Sequence, residues 1–427
     1  MFSKILGKPT SFVRLFSGAV AVQTVLSASN FIVGLLLVRR TSDVQYGYYV
    51  LIITSVMLSR TLQGAFIGPP MITRLSRSDR EGRANLIGGL YRDQNRLAPL
   101  LMVLPVILGV VLLIRGNLDL SLAITLLAGT AAIITGLRRD FLRSVLFAYR
   151  RPNDVLKSDF LYAALLIAGA YAATFTPLPA AIAALTLAFA YIVGAALLSK
   201  ALWRHEPWNP GAPLGMLREI APLGAWSAFG SGVHWLFSQG YNYLVAGSLD
   251  VTAVAALAAT RLLVMPVNLL STGIATLMLP TVSRWMQHFS PAQVFRRLAL
   301  VTMVLSGLAC CYLVVMWLAR GWIFNDILRK HVADSDSLLR LWSVIAIVMV
   351  FRDQFIHFLV ARERLRLTSV VTLVSAVISI ASSLIAMHYL GVAGALLGLL
   401  AGEVFNLAGI LLFSIRDARA VRTGTNE

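Results

Sequence analysis

The sequence predicts an all-α polytopic membrane protein of about twelve transmembrane helices, arranged as two six-helix lobes related by a pseudo-two-fold axis along the membrane normal. Three observations predict it. The 427 residues are 58% hydrophobic and only 13% charged, about half the charged share of a soluble domain. The apolar residues gather in runs near the roughly 20 residues that cross a bilayer. The second half of the chain also echoes the first.

Twelve apolar runs can be marked. They fall at about 15–38, 48–70, 97–114, 119–137, 158–175, 179–199, 221–246, 252–276, 298–319, 338–360, 367–388 and 391–415. The first run, preceded by Lys4, Lys8 and Arg14, exceeds the roughly 7–15 residues of a signal-peptide core, so an uncleaved first helix is expected. Connections are short, the largest lying near 71–96, 138–157, 200–220 and 320–337. Cys310 and Cys311 are adjacent in an apolar run. Vicinal cysteines seldom form an unstrained disulfide, so both are read as packing residues.

The net charge is +18. In a soluble chain that would suggest nucleic acid. Here the charges sit mostly between the apolar runs, so no nucleic-acid partner is expected. Lys and Arg divide 27 to 7 between the two sides, with three left inside runs. The positive-inside bias then places both termini in the cytoplasm. The segment Arg320–Arg340 is basic yet assigned outside, and is expected to form a short interfacial helix.

The repeat is visible at two offsets. At 207 residues, Leu37–Val44 lies over Leu244–Val251, Asp43 over Asp250, and Ser76-Arg77 over Ser283-Arg284. At 201 residues, Met102-Val103-Leu104 lies over Met303-Val304-Leu305. Runs one, two and three thus pair with runs seven, eight and nine. The expected division is 1–205 and 206–427, with a central site between lobes of like orientation.

Polar groups inside the runs are the candidate site. A guanidinium at bilayer depth is unfavourable by roughly 2.5–3.5 kcal/mol on insertion scales, unless it meets water or a partner. Arg60, with Gln63 and Gly64 on its helix face, is such a group. Arg261, with Asn268 and Thr272, is another. Both can hold a phosphate through the planar fork of the side chain; equally, each can pair with a buried carboxylate or snorkel. Gln23, Ser27 and Asn30 share a face of the first run. Ser231, His234, Ser238, Tyr241 and Asn242 form a stripe on the seventh. Either face could line a wet cavity or hydrogen-bond between helices. Asp353 and Glu403 are the acids expected inside the membrane. Arg352 neighbours Asp353 but points about 100° away on a helix. Asp353 and His357 are one turn apart and suit a titratable pair. Glu403 can neutralise an arginine or bind a coupling cation.

Several short stretches carry a family resemblance: Val33–Arg40, Tyr46-Gly47-Tyr48-Tyr49, the basic end of the second run, and Leu279–Arg284. On these the chain resembles the multidrug/oligosaccharidyl-lipid/polysaccharide (MOP) exporter superfamily, and within it the Wzx-like polysaccharide flippases. The resemblance implies a V-shaped pair of six-helix lobes, alternating access, and residence in the bacterial inner membrane. It also implies export of an undecaprenyl-diphosphate-linked oligosaccharide for lipopolysaccharide or exopolysaccharide. Lipid-linked oligosaccharide, membrane lipids, a polysaccharide polymerase and export machinery would then be the partners.

Three classes of function compete on the residues. A flippase needs a cationic, hydrophilic cavity, which Arg60, Arg261, Gln23, Asn30, His234 and Asn242 could build. A cation-coupled drug exporter of the same fold would favour acids in that cavity. A glycan polymerase or ligase would need a large external loop, and none is present. The sequence offers no nucleophile triad, nucleotide-binding loop or metal-ligand spacing, so neither metal, cofactor nor enzymatic chemistry is expected.

Overall fold

In a computed structural model of the chain, residues 9–114, 116, 119–206, 208–330 and 334–420 are described; the side chains of 9–24, 104, 276, 277 and 420 are not. The described residues form thirteen α-helices and no strands. In order these are α1 (Pro9–Arg40), α2 (Asp43–Arg77), α3 (Arg80–Leu97), α4 (Val103–Ile114), α5 (Leu120–Ala148), α6 (Pro152–Ala173), α7 (Pro179–His205), α8 (Met216–Gln239), α9 (Tyr241–Ser248), α10 (Val251–His288), α11 (Pro291–Trp322), α12 (Ser335–Ala361) and α13 (Leu365–Ala420).

The sequence writes its own helix starts. Ser42, Asp79, Asp119 and Asp250 cap α2, α3, α5 and α10 by accepting from a backbone N–H three residues on, which satisfies an otherwise orphaned donor. Ser290 and Gln293 form a reciprocal capping box on α11. Pro152 and Pro179 stand at the first position of α6 and α7, where a missing N–H does no harm. Two prolines, Pro69 and Pro70, lie inside α2, which apolar helices tolerate better than soluble ones; Thr73 donates from its hydroxyl to the Pro69 carbonyl at 3.0 Å.

Nine helical stretches among the described residues are long and apolar enough to cross a membrane. Several of the twelve expected runs are merged or broken. The last two are both inside α13, whose 56 residues would extend far beyond a hydrocarbon core of about 30 Å if straight. Gly391 breaks that helix with φ 53° and ψ −132°, a backbone that only glycine adopts cheaply. The chain turns back there. Gly394, Gly398 and Gly402 then pack on Ala386, Ser383 and Ser379, so two backbones meet along a seam of small residues. The seventh expected run is split at Gly240 into α8 and α9.

The chain divides into two compact units, Met1–Gly232 and Val233–Glu427. The sequence places its division earlier, at 205/206. Residues beyond 206 cluster with the first unit because α3 holds them. The Asp93 carboxylate accepts from the amides of Gly215 and Leu217 at 2.9–3.0 Å. Asn209 donates to Asn85 at 2.7 Å, and Arg74 to Glu219 at 2.7 Å. The first unit packs around Met71, Ile87, Leu90, Leu142, Leu146 and Leu198. The second packs around Val282, Leu298, Phe358, Leu359 and Ile410. Large apolar side chains also cover the outside, as on α4, where Val106 and Ile114 are 57% and 80% exposed. Such a surface suits lipid rather than water.

Two expected loops are mostly helical. The stretch 71–96 is the end of α2 followed by α3. Within 138–157, α5 runs on through Arg138 to Ala148 before Pro152 opens α6. In place of a separate short helix after Arg320, α11 runs on directly into a single wide turn over Ile323–Leu328.

Candidate functional site

In the first unit the expected lone cation is not alone. The Arg60 Nε on α2 donates to the Asp140 carboxylate on α5. Its Nη1 lies 3.4 Å from the Tyr191 hydroxyl on α7. Beside Asp140 on α5, Arg139 is wholly buried and donates to Asp159 on α6, which is also wholly buried. Arg143, one turn further along α5, donates to the other Asp159 oxygen at 3.2 Å. The Arg139 guanidinium lies 4.1 Å over the Tyr162 ring, and Tyr162 stacks on Tyr191 at 5.3 Å. Three guanidiniums thus face two carboxylates among four helices, α2, α5, α6 and α7.

This cluster opens on a cleft of about 90 Å³ lined by Arg60, Gln63, Gly64, Asp140, Arg143 and Ser144. Gln63 donates to the Gln94 side chain and the Leu137 carbonyl, both at 3.0 Å. The expected grouping of Arg60, Gln63 and Gly64 on one face therefore holds. The acids are the correction. The sequence offers Asp353 and Glu403 as the membrane carboxylates; it places Asp140 in the connection 138–157, and Asp159 at the very start of the fifth run, where it does not stand out as a buried acid. A signal existed. After the charged stretch Arg138–Asp140 the apolar pattern resumes at Val145-Leu146-Phe147, and the first true helix stop is Pro152.

In the second unit Arg352 and Glu403 form a buried pair, with Nη1 at 2.7 and 2.6 Å from the two carboxylate oxygens. Arg352 also donates from Nε and Nη2 to Asp353 at 3.0 and 2.7 Å. The two neighbours do pair, contrary to the simple helical-wheel expectation, because the long arginine stem lets its fork swing back. Asp353 accepts further from Ser271 at 3.3 Å. No hydrogen bond joins Asp353 to His357, and the His357 Nε2 is buried without a partner; the expected relay pair does not form. His234, exposed on α8, lies within electrostatic reach of Arg352 and Asp353.

Arg261 neither snorkels nor meets a carboxylate among the described residues. It donates to the Gln239 side chain and the Tyr241 hydroxyl, both at 2.7 Å. Its guanidinium sits 5.3 Å over the Trp342 ring, a favourable place for a cation. Asn242 donates to the Gln239 carbonyl at 3.2 Å, and its own side-chain oxygen is buried without a partner. The polar stripe expected on the seventh run is therefore not one wet face. Tyr241 and Asn242 lie on the separate helix α9 and are buried at 3% and 2% exposure. Asn268 and Asn30 are half-buried. The side chain of Gln23 lies outside the described residues. Many hydroxyls are also spent on their own helices: Thr54, Thr125, Thr260 and Ser375 each donate to a carbonyl four residues back.

With this geometry in hand, comparison with known proteins places the fold. A family model described as polysaccharide biosynthesis protein matches residues 157–323. No curated protein sequence matches the chain. Among solved structures, the inward-facing form of a multidrug resistance MATE family transporter of the MOP superfamily is similar with a TM-score of 0.78 at 12% identity, over 96% of this chain and 100% of that one. The lipid II flippase MurJ in an inward closed conformation is similar with a TM-score of 0.73 at 13% identity, over 94% and 88%. A MOP superfamily transporter from Pyrococcus furiosus is similar with a TM-score of 0.66 at 14% identity, over 99% and 98%. The chain shares the fold of these MOP-superfamily structures, a multi-pass membrane fold. The resemblance read from the sequence is borne out at that level.

Proposed function

We propose that this chain moves a polyprenyl-diphosphate-linked oligosaccharide from the cytoplasmic to the periplasmic leaflet of the bacterial inner membrane, by alternating access, for polysaccharide biosynthesis. One observation carries the reading. The first unit holds Arg60, Arg139 and Arg143 against only Asp140 and Asp159, beside a polar cleft, which leaves one positive charge for an anionic ligand. The match to a polysaccharide biosynthesis family supports it further.

The cluster also suggests how the ligand is exchanged. Asp140 gives one oxygen to Arg60. Its other oxygen is buried without a hydrogen bond, 3.7 Å from Arg139 Nη1, which is also unbonded. A phosphate that engages Arg60 displaces Asp140, which turns to Arg139 and keeps its charge compensated. Arg60 then offers two parallel donors to the phosphate oxygens. Asp140 serves as the resting occupant of the anion site. A cationic drug is less well suited. Glu403, the wholly buried acid of the second unit, is already neutralised by Arg352.

The test deletes the protein in its host and assays lipid-linked glycan in each leaflet, then restores Arg60→Ala and Arg60→Lys variants at normal abundance. Glycan should accumulate on the cytoplasmic side in the deletion and in Arg60→Ala, with partial rescue by lysine. Export by both variants at the wild-type rate sinks the phosphate role. Intact glycan export with raised sensitivity to cationic drugs supports the drug-exporter reading instead.

A further inference from the structure

A second cleft lies in the first unit, apart from the charge cluster. It encloses about 250 Å³ and is lined by Gly88, Tyr91, Arg92, Asn95, Arg96 and Trp203 with Trp208 and Pro210. That is smaller than the roughly 300–1,000 Å³ of drug-sized pockets, and suits a headgroup. Three aromatic rings form one wall: Tyr91 and Trp208 meet edge to face at 5.2 Å, and Trp203 lies 6.4 Å from Trp208. Arg92 and Arg96 are one turn apart on α3. No carboxylate lies within 4 Å of either among the described residues. Asp93 forms no ion pair with either, both its oxygens being turned to the Gly215 and Leu217 amides. Arg92 is anchored by donating to the Ala212 carbonyl. The Asn95 side-chain oxygen is buried here without a partner. A buried acceptor left unmade is costly, so the cleft asks for a donor as well as an anion.

Its place in the fold narrows the occupant. Directly after Arg96, the chain exposes Leu97, Leu100 and Val103, at 50%, 61% and 51%. Trp203 is 63% exposed at the last turn of α7, just past the exposed apolar Leu197. The cleft therefore sits where two lipid-suited surfaces give way to arginine, the level that tryptophan favours in membranes.

We propose that this cleft is a binding site for one anionic phospholipid with a hydroxylated headgroup, of the phosphatidylglycerol kind. The two arginines engage the phosphate, a glycerol hydroxyl donates to Asn95, and Trp203 covers the glycerol backbone and the first acyl carbons. The site is independent of the transported substrate, so it stands or falls separately from the transport reading.

The test uses the full chain, purified and delipidated in detergent, then titrated with phosphatidylglycerol or phosphatidylcholine and examined by native mass spectrometry. One phosphatidylglycerol should be retained most tightly. Arg96→Gln should weaken it by about tenfold, the scale of one lost charge-assisted contact, and Trp203→Ala should weaken it by a similar factor, roughly 1.4 kcal/mol, through lost apolar contact. Both side chains are exposed, so the variants should elute and melt as wild type without lipid. Arg80→Gln, an exposed arginine outside the cleft, should leave retention unchanged. An equal loss in Arg80→Gln, equal retention of phosphatidylcholine, or unchanged retention in both cleft variants would overturn the site. Displacement of the phosphatidylglycerol by a polyprenyl-diphosphate-linked glycan, lost in Trp203→Ala, would also overturn it and assign the cleft to the transported lipid.

Discussion

Arg139 and Asp159 form an ion pair in which neither side chain reaches the surface, and Arg143 holds the second carboxylate oxygen at 3.2 Å. This pair ties α5 to α6 at a depth where an unmatched charge is not tolerated. Arg139 also lies against Gly194 of α7, where a Cβ would come 2.9 Å from its Nε. One buried guanidinium therefore sets the spacing of three helices.

Asp159→Asn should destabilise the first unit strongly. It leaves Arg139 buried beside a neutral amide, and breaking a buried pair costs about 3–5 kcal/mol. Thermal unfolding in detergent measures it. The triple change Arg139→Met, Arg143→Met and Asp159→Leu, which removes both guanidiniums that Asp159 holds, should recover most of the loss, since well-packed apolar residues often replace a buried ionic group without cost.

Glu403→Gln should cost less, about 1–3 kcal/mol. Arg352 keeps Asp353 as a charged partner at 2.7 Å, and glutamine can still accept one hydrogen bond. A loss as large as that of Asp159→Asn would show that Asp353 does not compensate Arg352.

Gly398→Ala should open the seam inside α13. A Cβ there would lie 2.2 Å from the Ser383 amide nitrogen, which is backbone and cannot rotate away. Overpacking of this kind costs about 1–3 kcal/mol. Gly307→Ala is the control, since nothing lies within 4 Å of its Cβ position. Equal melting temperatures for the two variants would contradict the close approach.

Asp93→Ala should free the segment after α7. Three hydrogen bonds to the Gly215 and Leu217 amides vanish. Hydrogen exchange at those two amides should accelerate more than tenfold, while amides in the middle of α7 stay protected. Uniform acceleration along α7 would mean that Asp93 supports the whole unit instead.

Asp250 provides a pH test. Its pKa is lowered from the usual aspartate value, first by the Thr252 hydroxyl and then by the Ala253 amide that it caps. A carboxylate held below its unfolded value stabilises at neutral pH, and that contribution fades as pH falls through the folded value. The protection of the Ala253 amide, its exchange rate relative to the intrinsic rate at each pH, should therefore fall in acid in the wild type. In Asp250→Asn that protection should change little over the same range.

Much of this molecule is legible in its sequence. The apolar runs, the caps at Ser42 and Asp250, and Pro152 and Pro179 mark most helices, because helix starts and bilayer length are local, additive signals. Arg60 is legible as a site residue for the same reason: a charge inside an apolar run stands out at once. Its partner is not. Asp140 lies in the charged stretch that reads as the end of the fourth apolar run and Asp159 at the start of the fifth, and only the packing of α5 against α2, α6 and α7 carries them into the interior. The pairing of Arg352 with both Asp353 and Glu403 is likewise decided by packing, since a helical wheel gives the direction of a Cβ and not the reach of an arginine. The sequence determines which segments enter the membrane and which unusual charges go with them. The tertiary structure alone decides which charge neutralises which, because that choice depends on distances of a few ångströms between helices far apart in the chain.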